Sequence, residues 1–338
     1  MSKVEFFEVK PWEKEYLEEK LKAVSGIEVS YFEERINKDN IPTKTDCEIL
    51  SMFSDSALDN AVLEKFPNLK YLITRSTGFD HIDLNYCKEH TILVSNIPSY
   101  GENTVAEFAF ALILALSRKI FTAVDQIKET GDFNVDKLQG FDLRGKTLGV
   151  IGAGKIGQHS IRMANGFGMK VVAYDPFPKP ELAQSLQFEY LPLEEVLKQS
   201  DVITLHTPYT KENHHLINEN AISLMKKGVY IVNTSRGAII DTEALVKGLK
   251  SGHVGGAGLD VFEEEGVVKD EKGFLEHGDA TGHNLKTIIA DHVLIDFPNV
   301  IMTPHNAFNS REALQRILDT SVENLSAYLS GAPINLVK

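Results

Sequence analysis

The chain has 338 residues, of which 43% are hydrophobic, and it carries a formal net charge of −13 at pH 7. Its length predicts two domains, and its apolar content is enough for a core in each. The acidic balance, without any block of lysine and arginine, argues against nucleic acid as a partner, because phosphate backbones are bound by basic surfaces.

The cysteine usage and the apolar runs indicate where the protein works. Cys47 and Cys87 form no CxxC motif, which is typical of a reducing compartment. The first ten residues lack the apolar core of a signal peptide. The longest apolar run, residues 108–116, is shorter than the roughly 20 residues of a membrane span. We therefore expect a cytoplasmic protein without membrane contact.

Strand-like and helix-like runs alternate over the first hundred residues. This alternation predicts a parallel sheet with helical crossovers. The expected strands are residues 4–9, 27–32, 48–53, 69–75 and 92–96, and the expected helices are residues 13–24 and 59–66.

A long helix is predicted over residues 104–119, where Thr104 and Glu107 match a capping box. Its broad apolar face favours a core or interface helix over a cofactor site. The alternation of strands and helices restarts at Leu148 and continues to residue 303. Residues 310–329 then form one amphipathic helix. The second alternating set is long enough for a complete dinucleotide-binding domain, inserted into the first.

A glycine-rich turn follows the strand-like residues 148–151. Gly152 permits a tight turn, Gly154 lets the backbone approach a pyrophosphate, and Gly157 lets helix and strand pack closely. The helix that begins here offers amide groups and a positive dipole end to phosphates. The motif reads Gly152-Ala153-Gly154-Lys155-Ile156-Gly157.

Asp175 ends the next strand-like run, 18 residues after Gly157. A carboxylate at this point would accept hydrogen bonds from the adenosine ribose and repel a 2′-phosphate. The alternative interpretation is an ordinary carboxylate at the end of a strand. The strand, turn and helix context favours a cofactor site and NAD over NADP.

Three side chains follow other strand-like runs and form a candidate catalytic set: Arg236, Glu265 and His305. Ligands of open α/β sheets bind beyond the carboxyl ends of the strands. A guanidinium can hold a planar carboxylate, a histidine can move a proton near neutral pH, and a carboxylate stabilises the protonated imidazole. Taken singly, they could be a surface ion-pair member, a solvated loop acid and a hydrogen-bonded structural histidine. Together they indicate an oxidoreductase.

The remaining histidines give no metal prediction. His277, His283 and His292 lie in residues 266–297 without zinc-ligand spacing. His206 begins His206-Thr207-Pro208 at another strand end, where we expect it to line the nicotinamide side of the cofactor. No role is assigned to His81, His159, His214 and His215.

With these motifs the chain resembles the D-isomer-specific 2-hydroxyacid dehydrogenases, and within them the D-lactate dehydrogenase branch. The similarity begins with the segment Arg75–Asp80 and extends to the C-terminal helix. The matching segments are Tyr174-Asp175, His206-Thr-Pro208, Asn233-Thr-Ser-Arg-Gly237, Gly258-Leu-Asp-Val-Phe-Glu-Glu-Glu265 and Thr303-Pro-His305.

The resemblance implies specific roles. Arg236 orients the 2-oxo acid, Glu265 partners the histidine, and His305 is the acid and base. The peptide N–H groups of Thr77 and Gly78 bind the substrate carboxylate. Tyr100 corresponds to the active-site tyrosine of the lactate branch, and Phe308 to the aromatic that bounds a small substrate pocket. The other segments implied in cofactor binding contain Thr207, Pro208, Thr234, Ser235 and Asp260.

The resemblance also implies the architecture. The expected fold is α/β with two doubly wound parallel-sheet domains. A Rossmann NAD-binding domain, residues 102–306, is inserted in a flavodoxin-like substrate domain, residues 1–101 and 307–338. The family further implies an interdomain cleft and a homodimer built through residues 104–119.

The expected activity is NADH-dependent reduction of pyruvate to D-lactate. Two alternatives stay open: the same chemistry on another 2-oxo acid (glycerate, phosphoglycerate, branched-chain or hydroxyglutarate type), and a non-catalytic NAD-sensing binding protein. No metal is expected.

Overall fold

The alternating pattern of the sequence produces two parallel sheets in the computed structural model, which describes residues 1–42, 46–265 and 284–337. The chain divides into two units: residues 1–101 with 309–338, and residues 102–308. The second boundary therefore falls two residues later than the sequence suggested. The predicted fold class, two parallel-sheet α/β domains, is confirmed.

The first unit contains a five-stranded sheet in the order β2-β1-β3-β4-β5, with every neighbouring pair parallel. This is the flavodoxin-like order. All residues of β3 and β4 are buried, as expected for central parallel strands covered on both faces. The strands are β1 (Ser2–Phe6), β2 (Ile27–Tyr31), β3 (Ile49–Met52), β4 (Tyr71–Thr74) and β5 (Leu93–Ser95), with helices α1 (Pro11–Leu21), α2 (Asn60–Leu63) and α3 (Leu84–Glu89).

The second unit contains a seven-stranded parallel sheet in the order β12-β11-β10-β9-β6-β7-β8. The strand order reverses between β6 and β9, which is the point where Rossmann folds bind dinucleotides. Its strands are β6 (Thr147–Ile151), β7 (Lys170–Tyr174), β8 (Glu189–Tyr190), β9 (Val202–Leu205), β10 (Val229–Asn233), β11 (Val254–Leu259) and β12 (Val300–Met302).

Helices cover both faces of this second sheet, and two hydrophobic clusters fill the space between helices and strands. The helices are α4 (Glu102–Ser117), α5 (Ile120–Thr130), α6 (Lys155–Gly166), α7 (Pro180–Leu186), α8 (Leu193–Gln199), α9 (Glu219–Leu224), α10 (Thr242–Lys250) and α11 (Leu285–Ile295).

The last helix, α12 (Arg311–Leu329), packs on the first unit. Ser310 caps it by accepting a hydrogen bond from the amide of Ala313 at 3.2 Å. The Tyr328 ring stacks on that of Tyr71 in β4, with centroids 4.1 Å apart. Beyond the helix, the amide of Val337 donates a hydrogen bond to the carbonyl of Val94. Residues 1–101 and 309–338 are thus joined into one unit.

Two details differ from the sequence prediction. The capping box was wrong, because α4 begins at Glu102 and Thr104 is buried inside the helix. Glu107 instead accepts a hydrogen bond from the side chain of Asn103 at 3.1 Å. The helix α5 was not predicted, and none of its residues is buried. Across the described ranges, no helix combines the length and apolarity needed to cross a membrane.

Candidate functional site

The turn after β6 requires two of its three glycines for close backbone packing. Gly152 adopts φ +95°, and a Cβ there would stand 2.4 Å from the carbonyl oxygen of His206. A Cβ on Gly157 would stand 2.0 Å from the carbonyl oxygen of Gly152. Both are therefore fixed by contacts within the protein, as the fingerprint predicts.

Gly154 is different, because no described atom outside its chain neighbours and its own helix lies within 4 Å of a Cβ built there. It is the N-cap of α6, whose first amides belong to Lys155 and Ile156. Packing within the described protein gives no reason for a glycine at this position. The open space lies beside the amide-rich, positive end of the helix and fits a pyrophosphate group. The residues present therefore suit a dinucleotide.

Asp175 is held beside this turn by the backbone. One carboxylate oxygen accepts from the amide of Ala153 at 2.9 Å, and the other accepts from the amide of Phe177 at 2.8 Å. Each carboxylate oxygen can accept further hydrogen bonds, so the group is oriented yet able to bind ribose hydroxyls.

His206 follows β9, and its ring makes hydrogen bonds within the described protein on one side only. Its Nε2 lies 2.8 Å from the hydroxyl of Ser160 in α6 and 3.0 Å from that of Thr204. Burial lowers the pKa of the ring to about 3, so it stays neutral. Its side chain can thus meet a ligand only through Nδ1, which is buried and lacks a hydrogen-bond partner among the described residues.

The other cofactor-segment residues lie at the ends of β9 and β10. Thr234 has a buried hydroxyl that finds no partner in the described part of the chain. Such orphaned groups are rare in folded proteins, and a bound ligand would satisfy them. Ser235 donates to the carbonyl of Leu205 at 2.6 Å, while Thr207 is partly buried and Pro208 is exposed.

Arg236 lies on a tight turn after β10. The buried side chain of Asn233 closes the turn by donating to the Arg236 carbonyl and accepting from the Ser235 amide, each at 2.9 Å. A guanidinium nitrogen of Arg236 donates to the Ser235 carbonyl at 2.8 Å. A Cβ on Gly237 would stand 1.9 Å from the carbonyl carbon of Phe262. The Arg236 turn therefore packs directly on the segment that leads to Glu265.

Glu265 and His305 are in direct contact, although 40 residues separate them. The distance from Nδ1 of His305 to a carboxylate oxygen of Glu265 is 2.8 Å. The side chain of His305 is 34% exposed and that of Glu265 is 20% exposed, so both remain accessible to a ligand. With Nδ1 occupied by the carboxylate, Nε2 is the nitrogen left for proton transfer.

The backbone of His305 has a left-handed conformation, with φ +51°. Such a conformation is uncommon for residues other than glycine and has to be held by its surroundings. Asp260, directly after β11, does this: its carbonyl accepts from the His305 amide at 2.8 Å. Its buried carboxylate accepts from the Asn306 and Ala307 amides, each at 2.8 Å, and from the Thr303 hydroxyl.

Asp260 was expected in a cofactor-contacting segment, but its carboxylate oxygens are used in shaping the loop of His305. Burial raises the pKa of its carboxyl group, and the hydrogen bonds from Thr303, Asn306 and Ala307 act in the opposite direction. Phe308 follows this loop, and its ring lies edge-on to the His305 imidazole with centroids 6.5 Å apart.

The remaining predicted substrate residues belong to the first unit. Thr77 donates its hydroxyl to the carbonyl of Ile97 at 2.7 Å, and its own carbonyl accepts from the Asn96 side chain. The Gly78 carbonyl accepts from the Ser76 hydroxyl at 2.6 Å. These contacts do not use the peptide N–H groups to which a role was assigned. The carbonyl of Tyr100 accepts from the Arg316 guanidinium.

A dinucleotide fingerprint and an imidazole–carboxylate pair at the same edge of one sheet define the class of protein, an NAD-dependent oxidoreductase. Residues 110–307 match the family model described as D-isomer specific 2-hydroxyacid dehydrogenase, NAD binding domain. The chain thus belongs to the D-isomer specific 2-hydroxyacid dehydrogenase family, and the resemblance stated from its motifs is confirmed.

The names of individual relatives refer to different substrates. The chain is 37% identical to D-lactate dehydrogenase of Escherichia coli (strain K12) over 328 residues, 96% of each protein. It is 41% identical to aromatic 2-oxoacid reductase of Clostridium sporogenes (strain ATCC 15579) over 283 residues, 82% of each. The structure of Aquifex aeolicus D-lactate dehydrogenase complexed with NAD and lactic acid aligns with a TM-score of 0.83 and 38% identity, covering 97% of this chain and 96% of that one.

Proposed function

We propose that this protein is a D-lactate dehydrogenase that reduces pyruvate to D-lactate with NADH, reversibly. The observation that carries the choice of substrate is the Phe308 ring beside the His305 imidazole. A ring so near to the proton donor leaves space for the methyl group of pyruvate and opposes larger side chains by steric clash. The name of the Escherichia coli relative supports the same substrate.

In this proposal His305 is the general acid. Its Nε2 donates a proton to the carbonyl oxygen of the substrate and accepts it in the reverse direction. Glu265, 2.8 Å from Nδ1, orients the ring and stabilises its protonated form. When bound, NADH supplies the hydride.

The substrate carboxylate is assigned to Arg236, whose planar fork can bind both oxygens. The peptide N–H groups of Thr77 and Gly78 are proposed as further donors, and Tyr100 and Phe308 as the side chains that limit substrate size. Fixed donors replace water around the carboxylate and hold the substrate in one orientation.

The test is the specificity constant, kcat/KM, for a panel of 2-oxo acids with NADH and with NADPH. The panel contains pyruvate, hydroxypyruvate, phosphohydroxypyruvate, a branched-chain 2-oxo acid, 2-oxoglutarate and phenylpyruvate. We expect pyruvate with NADH to give the highest value. The variant Phe308→Ala should shift the ratio of phenylpyruvate to pyruvate upward by roughly tenfold or more, since the clash is removed.

Two controls accompany the panel. His305→Ala should lower kcat by roughly 10²–10⁴-fold while NADH binding is unchanged, because a positioned acid contributes about that much. His90→Ala, an exposed histidine of the first unit, should have wild-type activity. A wild-type preference for phenylpyruvate would favour the activity named for the Clostridium sporogenes relative. Absence of turnover with every acid would contradict the enzyme proposal and favour a sensing protein.

We also propose that the protein works as a homodimer in the cytoplasm. The buried cysteines Cys47 and Cys87 are both free, as expected for a reducing compartment. The apolar side chains of α4 are largely buried in their own unit, whereas α5 exposes apolar side chains along one face. An exposed apolar face of this kind marks a protein interface.

A further inference from the structure

Two adjacent histidines and a carboxylate meet on the second unit, outside the catalytic pair. They are His214 and His215, on the loop after β9, and Glu263, after β11. One ring nitrogen of each histidine and one carboxylate oxygen of Glu263 all lie within 4.8 Å of one another. The imidazole rings are stacked, with centroids 3.8 Å apart. His214 is exposed, so the cluster is open to solvent.

Two members of the cluster are held in place before any ligand arrives. His215 has φ +52°, and its amide donates to the Ala238 carbonyl at 2.9 Å. Its Nε2 lies 2.6 Å from one carboxylate oxygen of Glu263. The other oxygen of Glu263 accepts from the Thr242 hydroxyl at 3.0 Å. Carboxylates and imidazoles that bind metal ions are oriented by neighbouring hydrogen bonds of this kind.

The surroundings of Glu263 are negatively charged. The side chain of Asp291, only 2% exposed, lies 3.4 Å from the same Thr242 hydroxyl and accepts from the Glu264 amide. Burial, together with the negative charges of Glu263 and Glu264, raises the pKa of Asp291 to about 6. Glu263 is bonded to His215 and Thr242, and within the described ranges it pairs with no lysine or arginine. A cation there would offset repulsion between the carboxylates.

We propose that His214, His215 and Glu263 form a binding site for a divalent transition-metal ion such as Zn²⁺. Two imidazole nitrogens with one carboxylate oxygen suit Zn²⁺ and exclude Mg²⁺ and Ca²⁺ as preferred ions, which take oxygen ligands. The set supplies three protein ligands, and water completes the tetrahedron. This site is independent of the proposed substrate and of the catalytic pair.

The rearrangement required for binding is small. Four-coordinate zinc with bonds of about 2.0–2.2 Å holds its ligand atoms roughly 3.3 Å apart. The Nε2 of His215 and the Glu263 oxygen therefore separate by less than an ångström, with the ion in place of their shared proton. His214 makes the larger movement, and its exposed side chain can turn at little cost. Its Nδ1 lies 3.4 Å from the Tyr209 hydroxyl, which can orient the ring.

The test is calorimetric titration of the untagged, chelator-treated full chain with Zn²⁺, followed by the visible spectrum with Co²⁺. We expect one ion per chain at this site and the absorption of four-coordinate Co²⁺. His214→Ala, at an exposed position, and Glu263→Gln, which can retain the Thr242 contact, should each weaken Zn²⁺ binding by at least about tenfold and abolish that absorption.

Two matched variants separate this site from other histidines. His90→Ala removes an exposed histidine elsewhere, and His305→Ala removes the catalytic one; both should bind Zn²⁺ like the wild type. Unchanged binding by His214→Ala would overturn the proposal. So would loss of the ion in His305→Ala, since the catalytic pair would then be the ligand, or a wild-type chain that takes up no Zn²⁺.

Discussion

His206 and His305 both follow strands of the same sheet, yet their surroundings give them opposite properties. His305 is one-third exposed and shares a hydrogen bond with the Glu265 carboxylate. His206 is buried against two hydroxyl groups, Ser160 and Thr204, and no acidic side chain of the described residues is hydrogen-bonded to it. The first can carry a proton to a ligand, and the second is restricted to its neutral form. Position at a strand end therefore does not by itself make a histidine catalytic.

The buried histidine should make the protein sensitive to acid. The pKa of His206 is lowered from 6.5 in the unfolded chain to about 3 in the folded one. As the pH falls from 6.5 towards about 3, the unfolded state gains a proton that the folded state does not. The free energy of unfolding should therefore decrease by about 1.4 kcal/mol per pH unit from this group, and be unaffected above the window.

Urea unfolding of wild type and His206→Asn over this pH range measures the effect. The difference in unfolding free energy between the two proteins should shrink, or change sign, as the pH falls, because only the wild type has the buried imidazole. His90→Ala, which removes an exposed ring, serves as the control. Parallel curves for wild type and His206→Asn would contradict the assigned environment.

At the scale of elements, the loop between β12 and α12 depends on one carboxylate directly after the neighbouring strand β11. Asp260 accepts hydrogen bonds from two loop amides and from Thr303, and its carbonyl holds the amide of His305. This set of bonds fixes the left-handed backbone of His305 and so the direction of its ring. The acid–base geometry is thus a property of the strand–loop pair.

We expect Asp260→Asn to impair both folding and catalysis. One oxygen of the carboxylate becomes an NH₂ group, which cannot accept from the backbone amide that now faces it. The free energy of unfolding should fall by about 1–3 kcal/mol, the usual penalty for an unsatisfied buried group. The kcat for 2-oxo acid reduction should fall while NADH affinity is retained.

Urea unfolding and steady-state kinetics test this, with Asp142→Asn at an exposed position as the control. A variant that loses NADH affinity while keeping kcat would instead support the original expectation that Asp260 contacts the cofactor.

Much of this arrangement could be predicted from the sequence. The strands are short apolar runs, and the rule that parallel strands present their carboxyl ends together placed Arg236, Glu265 and His305 near one edge. The direction of the His206 ring could not be predicted, because it depends on Ser160, 46 residues earlier in the chain. The same holds for Asp260, whose partners follow it by more than 40 residues. His277 and His283 lie outside the described residues.

At the scale of the whole molecule, we propose the exposed face of α5 as the main subunit contact of the proposed homodimer. Ile120, Phe121, Val124 and Ile127 are each 39–51% exposed and recur at helical spacing. The homodimer was expected through residues 104–119, but the apolar side chains there are mostly covered within their own unit. We therefore assign the larger part of the contact to α5.

Sedimentation analysis tests the dimer. The wild type should have twice the 37.6 kDa mass of the chain, and Phe121→Glu should sediment as a single chain, because a charge would be buried without a partner. Ile289→Glu, at an apolar position on α11 that is more exposed (64% against 51% for Phe121), should leave the mass unchanged. A wild-type monomer, or a Phe121→Glu dimer, would contradict the assignment.

The division of the first unit between two distant stretches of chain has a consequence for biosynthesis. The seven-stranded unit is encoded without interruption and can fold as soon as residue 308 has left the ribosome. The five-stranded unit begins earlier in the chain, yet it lacks α12 and the pairing of Val337 with Val94 until residue 337 has been added. The face of its sheet that α12 covers therefore stays exposed, and open to chaperones, while some 200 further residues are added. Order of translation and order of completion are therefore reversed in this protein.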